Sequence, residues 1–287
     1  MLFKKKNKIY TQEIGLELGL NLGEYFLNSE DLHYGFWKEG TAVDIQNMPK
    51  AQKDYKEFLI SHLPNGCKSI LDVGCGSGEL AKELLELGYD VDCVSPSAFL
   101  GERASSKLSS DVHLYNCKFE DIIPQKKYDL VLFCESFQYI KLSLVFDKVF
   151  ECLKTDGHIM ISDFFKTGVK NSPMGGGHKI KRFEEVVSSL PLEKVKDIDI
   201  TNETAPTIDL VNKFFQSVAL PNLMILKKYM QTNHRIIYKI LTSFLKIILF
   251  KRVKKLKFKY FSGNRNGDSF KIFKTYRMFI YKNTCTA

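Results

Sequence analysis

What the 287-residue chain lacks narrows its chemistry first. Its seven cysteines stand at 67, 75, 93, 117, 134, 152 and 285, with no C-x-x-C pair and no histidine at zinc spacing, which argues against a disulfide scaffold and a zinc site. The start, Met1 to Lys6, is basic but runs on into Asn7, Lys8 and Gln12 without an apolar signal core, so the chain reads as unsecreted and cytoplasmic. No apolar run reaches the roughly 20 residues a bilayer span needs; Ile236 to Phe250 comes nearest and is interrupted by Lys239 and Lys246. Internal repeats are missing too. Acid is scarce at one end: from Asn222 onward sixteen Lys and Arg face a single acid, Asp268, although the whole chain carries only +9. The basic character therefore belongs to one segment, and a partner for it is to be sought there.

What is present is a βαβ alternation. Ser69 to Val73 is a short apolar run ending in glycines; Leu80, Ala81, Leu84 and Leu85 recur at helical spacing before Gly88. Strands are expected at 91–94, 112–116, 128–133 and 158–163, with helices at 97–108 and 142–153, the latter closed by Thr155-Asp156-Gly157. Beyond lie a glycine-rich loop, 171–178, a helix near 182–190, a strand near 195–200, a helical pattern over 207–259 and a last strand at 275–281. The order predicts an α/β, Rossmann-like, doubly wound seven-stranded sheet. It would divide into an N-terminal helical cap (1–65), a core (66–206), a basic helical insertion (207–269) and the returning last strand (270–287).

The sharpest feature is Asp72-Val-Gly74-Cys75-Gly76-Ser-Gly78-Glu79, a strand turning through glycines into a helix. Glycines let the main chain approach a ligand, and a helix start offers unpaired N–H groups. A dinucleotide fingerprint would need glycine where Glu79 stands, and the phosphate-cradling G-x-x-x-x-G-K-[ST] is missing, so a phosphate ligand is disfavoured. The D-x-G-x-G-x-G spacing instead resembles the nucleotide-binding motif of class I S-adenosylmethionine-dependent methyltransferases. That resemblance implies S-adenosyl-L-methionine as methyl donor and S-adenosyl-L-homocysteine as product. It places Asp72, Gly74, Cys75 and Gly76 by the methionine moiety, with Gly78 opening the helix.

The resemblance extends to other residues. Where the family's second strand ends in a ribose-binding acid, this chain has Ser95 and Ser97, with Asp92 three residues before Ser95. Val94-Ser-Pro-Ser-Ala-Phe-Leu-Gly-Glu-Arg-Ala104 is similar to the L-S-P-x-Q-x-x-R-A stretch of the tocopherol, sterol and cyclopropane-fatty-acid branch, with Ala98 in place of the glutamine and Arg103 two residues late. Asp31-Leu-His-Tyr-Gly-Phe-Trp37 is similar to that branch's cofactor-covering segment, which implies Tyr34 and Trp37 near the sulfonium; an aromatic cluster packing helices is the alternative. Phe119 and Glu120 stand where the family contacts adenine, where a charged surface turn would look the same. Glu135-Ser-Phe-Gln-Tyr139 looks like the family's E-S-x-x-H with tyrosine for histidine, which makes Glu135 a candidate for both cofactor contact and catalysis. Tyr139, Asp163, His178 and His33 are the further catalytic candidates, each of them equally readable as a solvated or core-satisfying polar residue.

Charge alone speaks for RNA, and the [DN]-P-P-[YF] and Pro-Cys signatures of nucleic-acid enzymes are missing after the fourth strand. Lys228, Arg235, Lys239 and Lys246, spaced 7, 4 and 7, suggest one basic face of an amphipathic helix. Such a helix suits a lid over an apolar pocket, an anionic membrane surface, or plain packing on the sheet. The expectation is methyl transfer to a small, lipid-like or apolar acceptor, with peripheral membrane contact. RNA methylation and a non-catalytic membrane-associated interaction module are the alternatives.

Overall fold

The computed structural model describes residues 11–243, 258 and 261–285. Seven strands form one sheet in the order β3-β2-β1-β4-β5-β7-β6. β1 (Ser69–Val73), β2 (Asp90–Val94), β3 (Leu114–Tyr115), β4 (Tyr128–Cys134) and β5 (Leu153–Lys166) are parallel. β7 (Lys274–Asn283) runs antiparallel between β5 and β6 (Leu192–Asp199). Alternation along the strands builds two cores, one on each face. Leu71, Val73, Val131, Phe133, Ile159 and Ile161 point into one; Ile70, Leu130, Leu132, Met160, Met278 and Ile280 point into the other.

The helices close both faces. α1 (Thr11–Leu27) and α2 (Met48–Ile60) form the N-terminal cap; α3 (Glu79–Glu86), α4 (Ala98–Lys107), α5 (Leu142–Cys152) and α6 (Ile180–Val187) are the crossover helices. α5 buries Val145, Phe146, Val149 and Cys152, the 3.6-residue stripe its sequence shows. Ser97 caps α4 by accepting the Leu100 N–H, 3.3 Å away.

Several boundaries differ from the sequence pattern. β3 has two residues rather than five, because the His113 N–H is taken by the Asp92 side chain instead of a strand partner. Thr155-Asp156-Gly157 does not end α5: Leu153 already pairs with Tyr128, and Asp156, at φ +60°, lies inside β5. α7 (Thr201–Phe214) begins six residues before the expected 207, on the N-terminal side of Pro206. Asp199 accepts from the Thr201 N–H and the Ile200 carbonyl receives the Thr204 N–H, so the turn forms despite the donor the proline lacks. A π-helical turn, Phe215–Ala219, leads into α8 (Leu220–Asn233), and α9 (Gly267–Phe273) returns the chain to β7.

The helical expectation for the insertion needs two corrections. His234 leaves helical geometry at φ −131° and the helix resumes over 235–243, so Lys228 and Arg235 do not lie on one continuous face. No residue of α8 is buried, which removes the reading of this segment as an ordinary helix packed on the sheet. Phe244, Lys246, Ile248 and, apart from Phe258, the lysine-rich stretch 251–259, like Met1 to Tyr10, lie outside the described residues. Among the described residues no helix is long and apolar enough to cross a membrane.

Gly74, at φ +79°, shows how tightly the first turn is made. A Cβ there would stand well under 3.0 Å from Ser136 Cβ, and Ser136 itself donates its hydroxyl to the Val73 carbonyl beneath. Gly74→Ala is therefore expected to cost roughly 2–4 kcal/mol, from the left-handed φ plus the overlap. Denaturant unfolding compared with the wild type measures it; a midpoint unchanged at equal slope would show the turn yields freely.

Candidate active site

The parallel register lines up the carboxyl ends of the central strands, with Val73 beside both Val94 and Phe133 and Cys134 beside Ser162. Doubly wound sheets place ligands at this edge. Three carboxylates gather there: Asp72 at the tip of β1, Glu135 just past β4 and Asp163 near the end of β5. Asp72 is 1% exposed and neither of its oxygens has a hydrogen-bond partner. Burial alone pushes its pKa up to about 7.

Beside Asp72 the glycines serve different ends. Gly74 and Gly78 are pressed against Ser136 and the Ala104 main chain respectively, so packing explains them. Gly76, at φ +59°, is different, since a Cβ built on it would meet no protein atom within 4 Å. Open main chain next to a buried, unsatisfied carboxylate is a cradle for a ligand that brings a cationic group. S-adenosylmethionine carries an ammonium and a sulfonium and no phosphate, and the residues present fit it. Cys75 is buried in the core beside the turn.

Glu135 sits at φ +54°, a strained backbone for a non-glycine residue. Its Oε1 accepts from the Tyr34 N–H at 2.7 Å and from the Tyr276 hydroxyl at 2.8 Å, and neither bond goes to Oε2. The Tyr276 and Tyr55 hydroxyls are 2.7 Å apart, and Ser162 Oγ is 2.7 Å from Tyr55. With the Tyr276 hydrogen committed to Glu135, Tyr55 must donate to Tyr276 and Ser162 to Tyr55, a one-way chain ending on the carboxylate. Burial raises the Glu135 pKa; His33, the Tyr34 N–H and Tyr276 pull against it.

A strap over residues 29–37 closes this edge. The Ser77 hydroxyl donates to the Glu30 carbonyl, and Gln52 donates to the carbonyls of Asp31 and His33. His33 Nδ1 donates to the Tyr34 carbonyl while Nε2 lies 3.3 Å from Asp31 Oδ1. Burial opposes its charge, yet Asp31, with Glu135 behind it, raises the His33 pKa, and His33 and Lys56 together hold Asp31 down at about 2 against its burial. The Tyr34 ring lies 5.9–6.0 Å from those of Phe164, Phe270 and Tyr276, an aromatic wall next to Glu135.

Asp163 accepts from the N–H groups of Gln138 and Phe164, and burial, with the Glu135 charge adding, moves its pKa up to about 8. Tyr139 is 55% exposed at the end of a short 3-10 turn. Of the expected site residues, then, Tyr34, Glu135 and Asp163 come together with His33 of the strap, and Asp72 and Gly76 stand at the end of the neighbouring strand β1.

Others are drawn elsewhere. Trp37 is buried against Met48 and Ala51, its indole N–H donating to Thr207, which is the helix-packing alternative rather than a place in the Tyr34 wall. His178 Nε2 donates to the Phe137 carbonyl, and burial lowers its pKa; it pins the turn that follows Glu135. Phe119 is 3% exposed, edge-on to Phe133, with its ring in the core rather than offered to a base; Glu120 beside it is half-buried. Ser95 donates to the Ser97 carbonyl and Ser97 caps α4, so both hydroxyls hold the β2–α4 turn. Asp92 is taken up by Tyr128, His113 and Lys126.

Tyr55, Ser162, Tyr276 and Lys274 were not singled out from the sequence. Lys274 is 1% exposed and donates to the carbonyls of Gly175 and Gly176, tying down the glycine loop. A tyrosine on an otherwise apolar strand or helix face, as Tyr276 and Tyr55 are, was the available signal, since a buried phenol needs a partner.

Fold and edge define a doubly wound protein with a cradle for a ligand that carries a cationic group. The methyltransferase-domain family matches residues 44–194, just over half of the chain, and the chain belongs to that family. A malonyl-(acyl-carrier protein) O-methyltransferase of Acetivibrio thermocellus is 33% identical over 130 residues, 43% of this chain and 46% of that enzyme. The chain spans about half the length of the curated relatives it matches. In fold it is similar to a cyclopropane synthase of Mycobacterium tuberculosis (TM-score 0.64, 13% identity, 97% of this chain and 100% of that one). It is similar also to a geranyl diphosphate C-methyltransferase of Streptomyces coelicolor A3(2), crystallised with S-adenosyl-L-homocysteine (TM-score 0.62, 15% identity, 96% and 94% covered).

Proposed function

We propose that this chain transfers the methyl group of S-adenosyl-L-methionine to a small, apolar acceptor bearing an ionisable group. The carrying observation is Asp72, a buried carboxylate with no partner, next to the open main chain of Gly76. Asp72 would hold the donor's ammonium and Gly76 would let the main chain lie against it. The donor supplies a methyl carbon activated by adjacent positive sulfur. The chain's own part is to place the acceptor and take its proton. Glu135 is the group suited to take it, because Oε1 is fixed by two donors, Oε2 takes neither bond, and burial keeps its pKa high enough to accept a proton. The half-buried rings of Tyr34 and Phe164, backed by Phe270 and Tyr276 in the core, suit an apolar acceptor and exclude water from the transfer.

Peripheral contact with an anionic membrane belongs to the same reading, because apolar acceptors partition there. The names of the relatives, a malonyl-(acyl-carrier protein) O-methyltransferase and a geranyl diphosphate C-methyltransferase, are in keeping with acyl or isoprenoid acceptors. Nothing favours a nucleic-acid acceptor: the cations of α8 stand among exposed apolar side chains that a phosphate backbone does not match.

Calorimetric titration with S-adenosyl-L-methionine and S-adenosyl-L-homocysteine tests the reading. Both are expected to bind the wild type, and Gly76→Val is expected to bind neither, because a branched side chain would fill the approach. Equal affinity in wild type and variant would refute the cradle.

A further inference from the structure

The described part of the insertion presents a surface that water alone does not explain. In α8 the successive residues Leu223, Met224, Ile225 and Leu226 are 49–66% exposed. Four consecutive helical positions point in four directions, so the apolar groups spread wider than the narrow stripe that a neighbouring element would cover. In residues 235–243 Ile236, Ile237 and Ile240 are each more than half exposed and stand on one side of the helix. Lys227, Lys228, Arg235 and Lys239 stand among them, and between Asp209 and Asp268 the sequence holds thirteen Lys and Arg and no acid.

α1 gives the contrast. It also exposes Ile14, Leu18, Leu22 and Phe26, but as a stripe at four-residue spacing, beside Glu17 and Glu24 and with Leu20 buried on the other side. Such a helix fits a protein groove. α8 turns Leu223, Ile225 and Leu226 to one side and Lys227 and Lys228, with Met224 between them, to the other, which fits the headgroup and acyl boundary of an anionic bilayer. A second copy of the chain would bring like-charged helices together, with no acid in either to offset them.

We propose that α8 and residues 235–243 dock this protein onto a membrane carrying anionic lipids. Leu223, Ile225, Leu226, Ile236 and Ile240 enter the acyl boundary, and Lys227, Lys228, Arg235 and Lys239 meet headgroups. The helices lie on the surface, since among the described residues neither is long and apolar enough to cross. Docking rests on the apolar-acceptor reading only in naming the surface from which such an acceptor would be drawn.

Co-sedimentation of the full chain with vesicles of phosphatidylcholine alone, or mixed with phosphatidylserine, tests it. The mixed vesicles are expected to retain at least about tenfold more protein, an excess that falls with salt. Ile225→Glu with Leu226→Glu, both at exposed positions, is expected to abolish retention at low salt; Lys227→Glu with Lys228→Glu is expected to lower it about tenfold or more. Wild-type retention in the Ile225/Leu226 variant would overturn insertion. Equal or no retention on the two vesicle types would overturn docking, as would a concentration-dependent dimer that the same variant dissolves. Donor calorimetry on both variants, expected unchanged, keeps a failure here separate from a failure of the methyl-transfer reading.

Discussion

Asp72→Asn is expected to weaken S-adenosyl-L-methionine binding by at least about 100-fold while making the ligand-free protein more stable. The two effects share one cause. A carboxylate taken out of water without a hydrogen bond is costly, and Asp72 has none on either oxygen. Its folded pKa of about 7 against an ordinary 3.8 means that the folded state holds a proton which the unfolded chain gives up. The associated stability is present below about pH 4 and is lost as pH rises through about 7, at about 1.4 kcal/mol for each pH unit between those limits. The asparagine variant lacks this slope, so its advantage in melting temperature should be small at pH 5 and large at pH 8. A bound ammonium reverses the preference by favouring the charged carboxylate. Donor affinity should therefore climb towards pH 8 in the wild type, with proton release visible as a dependence of binding heat on buffer. Melting curves at the two pH values and calorimetry in two buffers measure all of this. A variant no more stable than wild type at pH 8 would mean that the carboxylate is already satisfied.

Charge and shape at this edge come from residues far apart in sequence, which decides what could be read beforehand. β1, its glycine turn and the order of the parallel strands were legible because apolar runs buried on both faces and a strand-turn-helix punctuation are local patterns. Glu135 and Asp163 were legible because each follows directly on such a run. The start of α7 was not, since Pro206 reads as a boundary and only the side chain of Asp199, across a turn, shows that the helix begins before it. Trp37 and Tyr34 are three residues apart in one strap; which ring faces the site depends on Thr207 from α7 catching the indole, a tertiary contact that local spacing does not encode. The same holds for Phe119, which family position places against a base and packing places against Phe133. The hydroxyl chain Ser162–Tyr55–Tyr276 joins β5, α2 and β7, and it exists only once the antiparallel last strand has brought Tyr276 back opposite Phe164.

That chain bears on the second large effect. Glu135→Gln is expected to lower turnover roughly 10²- to 10⁴-fold, the range for losing a positioned general base, with donor affinity held within a small factor. Turnover is read as S-adenosyl-L-homocysteine formed with whichever long-chain phenol the wild type methylates. Because burial holds the Glu135 pKa up, wild-type rate should increase with pH as Glu135 loses its proton, and the glutamine variant should lack that limb. Tyr276→Phe removes a donor that favours the charged carboxylate; Glu135 would then hold its proton more strongly and the limb would move to higher pH. The tyrosine is a positioning residue, so the shift of the limb distinguishes it from a merely structural one, whose loss would scale the rate at every pH alike. If Glu135→Gln turned over as fast as wild type, the acceptor would reach the methyl group already deprotonated. Glu135 would then serve only to hold Tyr34 and Tyr276 in the aromatic wall, and the Tyr276→Phe profile would keep its wild-type midpoint.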